Sequence, residues 1–447
     1  VITVKNDFRQ KFHLEPQKGW LNDPNGLCFF NGNYHVYFQY SPENAYGKGG
    51  KCWGHFKSPD MLNWTFCGTV LRPDCPDDRS GVYSGCGFVN DDTLYLFYTG
   101  NVKKEGNFDY ITQGREANTM LVTTKDGQSM SKKVTLLRNC DYPKNCSCHV
   151  RDPKVWEENG VYHMILGART LDNKGCVLYY TSYDLLNWSF EKEESFPDFG
   201  YMWECPDIIR LGGNTYLSIS PQGLNHCEFS HQNVYSSGYF KDENFIEWDY
   251  GFDFYAPQTF SAPDGRVIMI GWMGIGDIPY TNPTAELGWQ HSLTVMRELF
   301  IGKTGEIYAL PVSEMLELRK DFIEISNSTQ TRCDLPFEIE GNAGKNFSLT
   351  LGNYLVIDYK DGIFALTFTD KKVSGGRDTR RVKLPSLSSI KILLDTSSIE
   401  IYLNGGERVM STRFYPDDTE TEIKICDFTG KLYRLGSINI LKGAENE

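Results

Sequence analysis

Five stretches of this chain repeat one grammar. A cluster of Gly, Asn or Asp is followed by a run that is almost continuously apolar or aromatic. The stretches are NGNYHVYFQY (31–40), NDDTLYLFYTG (90–100), ENGVYHMILGA (158–168), GGNTYLSIS (212–220) and DGRVIMIGWMG (264–274). Each opening cluster is a hairpin signal, and each run reads as a strand buried on both faces. Successive copies start about 50 to 70 residues apart, room for a four-stranded sheet each time. A second echo supports the repeat: SPDMLNWTF (58–66) resembles SYDLLNWSF (182–190). Five such units around one axis make a five-bladed β-propeller; an irregular all-β sandwich is the plainer alternative.

The pattern changes near residue 300. LPVSEMLELRK (310–320) reads as an amphipathic helix, with Val312, Met315, Leu316 and the stem of Arg319 on one face. Short alternating strands then return at a spacing of roughly ten residues, which suggests a β-sandwich. The expected organisation is all-β: a propeller over 1–309, a helical connector over 310–321 and a β-sandwich over 322–447.

Composition narrows the functions. A net charge of −13 and the lack of long Lys/Arg runs argue against a nucleic-acid partner. No stretch is apolar for long enough to form a transmembrane helix. The N-terminal VITVKNDFRQKF lacks a signal-peptide layout, so the expectation is a cytoplasmic protein, or a secreted one if a signal was removed. Thirteen scattered cysteines suggest mostly free thiols in a reducing compartment. The cluster Cys140, Cys146, Cys148 and His149 lacks paired CxxC spacing and reads as a thiol-bearing loop, not a zinc site. No metal and no cofactor are expected.

Three acidic motifs stand apart from the ordinary charged surface: Asp23 in WLNDPNG (20–26), Asp152 in HVRDPKVW (149–156) and Glu204 in MWECPD (202–207). Each carboxylate is flanked by proline, aromatic or apolar residues, where a charge is costly unless it is bonded. Singly, each is explained by a turn or a strand end; WLNDPNG in particular reads as a turn. Together they fall in the first, third and fourth repeats, and a propeller brings such residues to one central funnel. Three acids with Trp20, Trp53 and Trp203 as stacking planes suit glycoside hydrolysis better than a Ca²⁺ or Mg²⁺ shell.

WLNDPNG, RDP and EC in this order, with FQY (38–40) and WGH (53–55) between the first two, resemble glycoside hydrolase family 32, the β-fructofuranosidases. The resemblance spans roughly residues 10–320 and continues into the tail as that family's β-sandwich. It implies a retaining mechanism with Asp23 as nucleophile, Glu204 as general acid and then base, and Asp152 as transition-state stabiliser. The donors of the Asp23 turn would favour its ionised form, Arg151 would hold Asp152 ionised, and the Trp203 and Cys205 flanks would suit Glu204 as an acid. The resemblance further implies that Asn22 and Gln39 bind fructose hydroxyls. Trp53 and Trp272 would form apolar walls, with Tyr83 and Ser84 of YSG (83–85) on the sugar; Tyr255 is weighed evenly between site and core. Two departures, Met296 and Cys86 where relatives carry proline and serine, leave the acids untouched.

The implied substrate is a small fructoside: sucrose, sucrose-6-phosphate or a short fructo-oligosaccharide. Lys48, Lys51 and Arg115 are candidate contacts to a phosphate or to the leaving group. Solvated loop lysines are the commoner explanation of such residues. A fructosyltransferase with the same acids, a five-bladed arabinan or xylan hydrolase, and a non-catalytic sugar-binding propeller are the alternatives.

Overall fold

A computed structural model describes residues 7–443; residues 1–6 and 444–447, the outer ends of the two expected domains, lie outside the described residues. The chain is all-β, with a propeller-like arrangement of separate sheets followed by a sandwich-like sheet. Numbered here in chain order, sheets 1 to 5 begin with the strands Gly19–Phe30, Gly81–Asn90, Cys146–Glu158, Met202–Leu211 and Tyr255–Ser261. Sheets 2, 3 and 4 are four-stranded meanders. Sheet 1 gains an edge strand on each side, Trp289–Gln290 and Asn439–Lys442, and sheet 5 gains Ser292–Leu293. Each first strand packs on the first strand of the next sheet, and that of sheet 5 packs on that of sheet 1. These first strands therefore line one closed central channel. The five apolar runs seen in the sequence are the second strand of each sheet, walled in by neighbours on both faces, which is why they carry no polar alternation.

The LNW echo is also structural. Asp60 accepts from the backbone N–H groups of Leu62 and Asn63, and Asp184 does the same for Leu186 and Asn187. Each tryptophan then folds back onto the bend, Trp64 to the carbonyl of Met61 and Trp188 to that of Leu185. The same side-chain-capped bend joins strands three and four of sheets 1 and 3.

Stretch 310–321 differs from the expected helix. It holds a six-residue 3-10 helix, Ser313–Leu318, between the strand ending at Pro311 and the strand Arg319–Ile325. A period of three replaces 3.6, so Val312, Met315 and Leu318 share the buried face while Leu316 is 47% exposed. The sandwich-like sheet begins at Arg319, and the strand Asn439–Lys442 leaves it to pair with the outer strand of sheet 1. Buried ion pairs fasten the two parts. Arg297 donates to Glu400 (2.7 Å) and Asp249 (3.1 Å), Arg377 grips Asp253 with two 2.7 Å bonds, and His13 bridges Asp395 and Glu400 at 2.8 Å each.

Candidate active site

All five first strands break register at the same level. The irregularities fall between Leu21 and Pro24, Tyr83 and Gly85, Arg151 and Lys154, Glu204 and Asp207, and Tyr255 and Gln258. WLNDPNG is thus not a turn but part of a bulged strand. A bulge leaves one or two residues unpaired and re-aims their side chains. Four of the five bulges carry proline (Pro24, Pro153, Pro206, Pro257), which donates no ladder hydrogen bond and suits such a break. The fifth carries Gly85, where an added Cβ would meet the Phe97 carbonyl oxygen at 1.9 Å. Asp152, Cys205 and Ala256 sit at positive φ (62°, 46° and 48°) at three of these breaks. Such backbone costs energy and persists where the surroundings hold it; the Asp152 N–H is held by the Thr99 hydroxyl at 2.9 Å.

The bulges aim Asp23, Ser84, Asp152, Glu204 and Tyr255 into one cavity of about 260 Å³. Asp23 Oδ2 accepts from the Ser84 hydroxyl at 2.5 Å, and Oδ1 accepts from the Asn22 amide at 3.1 Å. Asn22 also donates to Gln39 at 2.5 Å, and its carbonyl accepts from the Trp20 indole at 2.8 Å. Asp152 Oδ2 accepts from the Cys205 backbone N–H at 3.0 Å, and the Cys205 thiol lies between Asp152 (3.6 Å) and Asp23 (3.7 Å). Glu204 is bonded on both oxygens: Oε1 accepts from Arg151 Nη2 at 2.6 Å and Nε at 3.1 Å. Oε2 accepts from the Tyr255 hydroxyl at 2.6 Å and the Gln222 amide at 2.8 Å.

The electrostatics revise two expectations, and the strand geometry a third. Burial pushes the Asp23 carboxyl up, its bonds to Ser84 and Asn22 pull it back down, and nearby Glu204 adds to the rise. The donors around Asp23 therefore offset burial without outweighing it. Arg151 pairs with Glu204 and stands 3.9 Å from Asp152. Burial raises the Asp152 carboxyl, Arg151 lowers it, and the charges of Glu204 and Asp23 raise it further. The apolar flanks of Glu204 do not surround its carboxylate, because alternate side chains of a strand face opposite ways. Trp203 points into the packing between sheets with Ile165, Val177 and Phe240, and Cys205 has turned through the bulge.

Asn22, Gln39, Lys51, Tyr83, Ser84, Arg115, Arg151, Tyr255 and Trp272 all line the cavity with the three acids. Trp53 and Lys48 do not. Trp53 lies on the third strand of sheet 1, fully buried behind Tyr83, and donates its indole N–H to the Tyr83 carbonyl. Lys48, in its exposed loop, donates its backbone N–H to the Asn44 side chain. Trp20 stands behind Trp272 in an aromatic group with His291. Gln222, Tyr235, Gly276 and Asp277 complete the wall without having been singled out in the sequence. The recurring Xaa-Pro was a signal that would have set Tyr255 in register with Glu204; Gln222, Tyr235 and Asp277 had none. Cys146, Cys148 and His149 open the first strand of sheet 3, and Cys140 lies in a 3-10 turn. Among the described residues no group of three or more His, Cys, Asp or Glu is placed to hold a metal ion.

Residues 13–311 match the Glycosyl hydrolases family 32 N-terminal domain and residues 317–441 the Glycosyl hydrolases family 32 C terminal. The chain is 36% identical over 462 residues to a sucrose-6-phosphate hydrolase of Bacillus subtilis (strain 168), covering 96% of this chain and 93% of that protein. The fold superposes on a sucrose-6-phosphate hydrolase from Lactobacillus gasseri with a TM-score of 0.86 at 28% identity, over 97% of this chain and 94% of the other. It also superposes on a family 32 β-fructofuranosidase from Bombyx mori, solved in complex with sucrose, with a TM-score of 0.84 at 28% identity over 97% and 95%.

Proposed function

The chain belongs to glycoside hydrolase family 32, and from that premise we propose that it hydrolyses the terminal β-D-fructosyl bond of sucrose, sucrose-6-phosphate or a short fructo-oligosaccharide. The observation that carries this reading is the convergence of Asp23, Asp152 and Glu204 from three separate bulged strands into one cavity. We take the five sheets as five propeller blades, with the extra strands of sheets 1 and 5 as edge additions. The domains are then a catalytic propeller over 1–309, a connector over 310–321 and a sandwich over 322–447. Thirteen free cysteines support action in a reducing compartment, the cytoplasm.

In this mechanism Asp23 attacks the anomeric carbon, forming an ester bond to the fructosyl unit as the glycosidic C–O bond breaks. Glu204 gives its proton to the departing oxygen. Glu204 then takes a proton from water, whose oxygen displaces Asp23 and restores the starting configuration. Asp152, bonded by the Cys205 N–H, holds fructose hydroxyls as positive charge develops. Asn22 and Gln39 orient the ring, and Trp272 gives it an apolar wall.

Fructose release from sucrose, sucrose-6-phosphate, kestose and inulin, measured side by side, tests the substrate. Asp23→Ala and Glu204→Ala each lower kcat by several orders of magnitude while the melting temperature stays near wild type. A folded Asp23→Ala enzyme that still turns over overturns the assignment, and long fructan products at high sucrose mark a transferase.

A further inference from the structure

Two loops complete the wall of the catalytic cavity. Residues 223–237 join the strands Asn214–Gln222 and Gly238–Lys241 of sheet 4 and bring in Tyr235. Residues 274–288 follow the strand Val267–Met273 of sheet 5 and bring in Gly276 and Asp277. The loops meet where the Tyr235 hydroxyl donates to Asp277 at 2.6 Å. A long loop has few ladder hydrogen bonds, so its position depends on side-chain contacts.

Both loops are held by one segment of the sandwich-like sheet. That segment runs from the short helix Lys371–Ser374 to the strand Thr379–Lys383, which lies at an edge of the sheet. An edge strand leaves backbone N–H and C=O groups open to another partner. At Arg381 the Gln232 amide takes the place of a neighbouring strand: its Nε2 donates to the Arg381 carbonyl at 2.7 Å, and its Oε1 accepts from the Arg381 N–H at 3.0 Å. The Arg380 guanidinium donates twice to Asn233 Oδ1, at 2.8 and 2.9 Å, and Asn233 Nδ2 donates to the Gly251 carbonyl at 2.7 Å. The second loop is tied a few residues earlier. The Gly375 carbonyl accepts from the Thr281 N–H at 2.9 Å, and Arg377 donates to the Thr281 carbonyl at 3.2 Å and to Asn282 Oδ1 at 2.8 Å.

These ties do not reach the acids. Glu204 is fixed by Arg151 and Tyr255 as well as by Gln222. Asp23 and Asp152 are bonded by Ser84 and by the Cys205 N–H on the bulged strands. The sandwich segment therefore bears on where the substrate rests and not on the reacting groups.

Resting on the fructosidase reading above, we propose that segment 371–383 is a positioning element of the active site, with Arg380 as its main residue. By gripping Asn233, Arg380 keeps Tyr235, and through Tyr235 also Asp277, in place against the substrate. A loop that is seated for only part of the time weakens the apparent affinity by the seated fraction, while the loaded enzyme turns over at its normal rate.

The test compares steady-state kinetics on sucrose, melting temperature and amide hydrogen exchange in the wild type, Arg380→Gln, Asn233→Ala and the double variant. Each single variant raises KM about 3- to 10-fold and leaves kcat within about 2-fold. The double variant is no worse than the poorer single one, because both remove the same link. Exchange quickens in 223–237 while the strand Met202–Leu211 keeps its protection. Gln232→Ala cuts the tie from the half-buried side of the loop and gives the same rise in KM, so the proposal stays open to refutation where Arg380→Gln does not fold. Wild-type KM in folded variants overturns it, and so do additive single effects. A fall in kcat that tracks a lower melting temperature, with KM unmoved, also overturns it, because the bonds then serve stability alone. Exchange separates this proposal from the reading it rests on. In a protein that releases no fructose, quicker exchange in 223–237 of Arg380→Gln sinks the fructosidase reading and keeps the hold on the loop; unchanged exchange sinks both.

Discussion

Ser84 is where a sheet without a catalytic carboxylate enters the chemistry. The residue is 1% exposed at the bulge of sheet 2, and its hydroxyl donates to Asp23 Oδ2 at 2.5 Å. Ser84→Ala removes that donor with almost no change of volume, so the fold should hold. A hydrogen bond to an ionised carboxylate is worth about 1.5–3 kcal/mol. If Asp23 is the nucleophile, losing it lowers kcat/KM for sucrose by about 10- to 100-fold. The pH dependence gives a second reading. Burial already pushes the Asp23 carboxyl up, and Ser84 works against that. The nucleophile must be ionised, so activity rises with pH as Asp23 loses its proton. Removing a bond to the ionised form moves the acid limb of kcat/KM to higher pH. The gap between variant and wild type is then widest on the acid side. Fructose release across the acid range, with a thermal melt as the control for folding, measures both. A folded Ser84→Ala enzyme with wild-type kcat/KM and an unmoved acid limb would refute the reasoning.

Three further predictions follow from the same geometry. Burial alone would lower the pKa of His13, but its bonds to Asp395 and Glu400 outweigh burial and raise it from 6.5 to about 9; that stabilisation, about 3 kcal/mol, is fully present below pH 6.5 and is lost as pH rises through 9. Urea melts below and above this window should show wild type losing stability that His13→Gln has already lost, and equal pH dependence in the two proteins would argue against a charged His13. Gly85→Ala should destabilise by about 1–3 kcal/mol and displace Ser84, since its Cβ meets the Phe97 carbonyl oxygen at 1.9 Å; a melt and an activity assay check it, with unchanged activity as the contrary result. If Lys51 meets a charged leaving sugar, KM for sucrose-6-phosphate should rise as pH passes about 8, where Lys51 sheds its proton, and Lys51→Gln should show no such rise.

Much of this architecture was legible in the sequence because the second strand of each sheet is covered on both faces and so announces itself as an unbroken apolar run. The acids were legible from their motifs. Their backbone was not: proline, asparagine and glycine in WLNDPNG have turn chemistry, and only the ladder shows that this chemistry is spent on a bulge inside a strand. Trp53 misled because a tryptophan near a motif looks the same whether it faces a cavity or the back of Tyr83; its place two strands out from the channel decides, and that is a property of the sheet. Leu316 misled because a six-residue helix between strands tightens to a period of three. The partners of Glu204 were partly hidden for another reason. Gln222 meets the carboxylate from the neighbouring strand of the same sheet, through the register of that hairpin, and Tyr255 meets it only when sheet 5 packs on sheet 4.

The central claim is that Asp23 bonds covalently to the sugar and Glu204 supplies the protons. A fructosyl donor whose leaving group needs no proton, mixed with the Glu204→Ala enzyme, isolates the first step, since the base that would activate water is gone. The account predicts that peptide mass spectrometry finds one fructosyl group on the peptide that contains Asp23. A fructosyl group on Asp152, or rapid release of fructose with no labelled peptide, would contradict it.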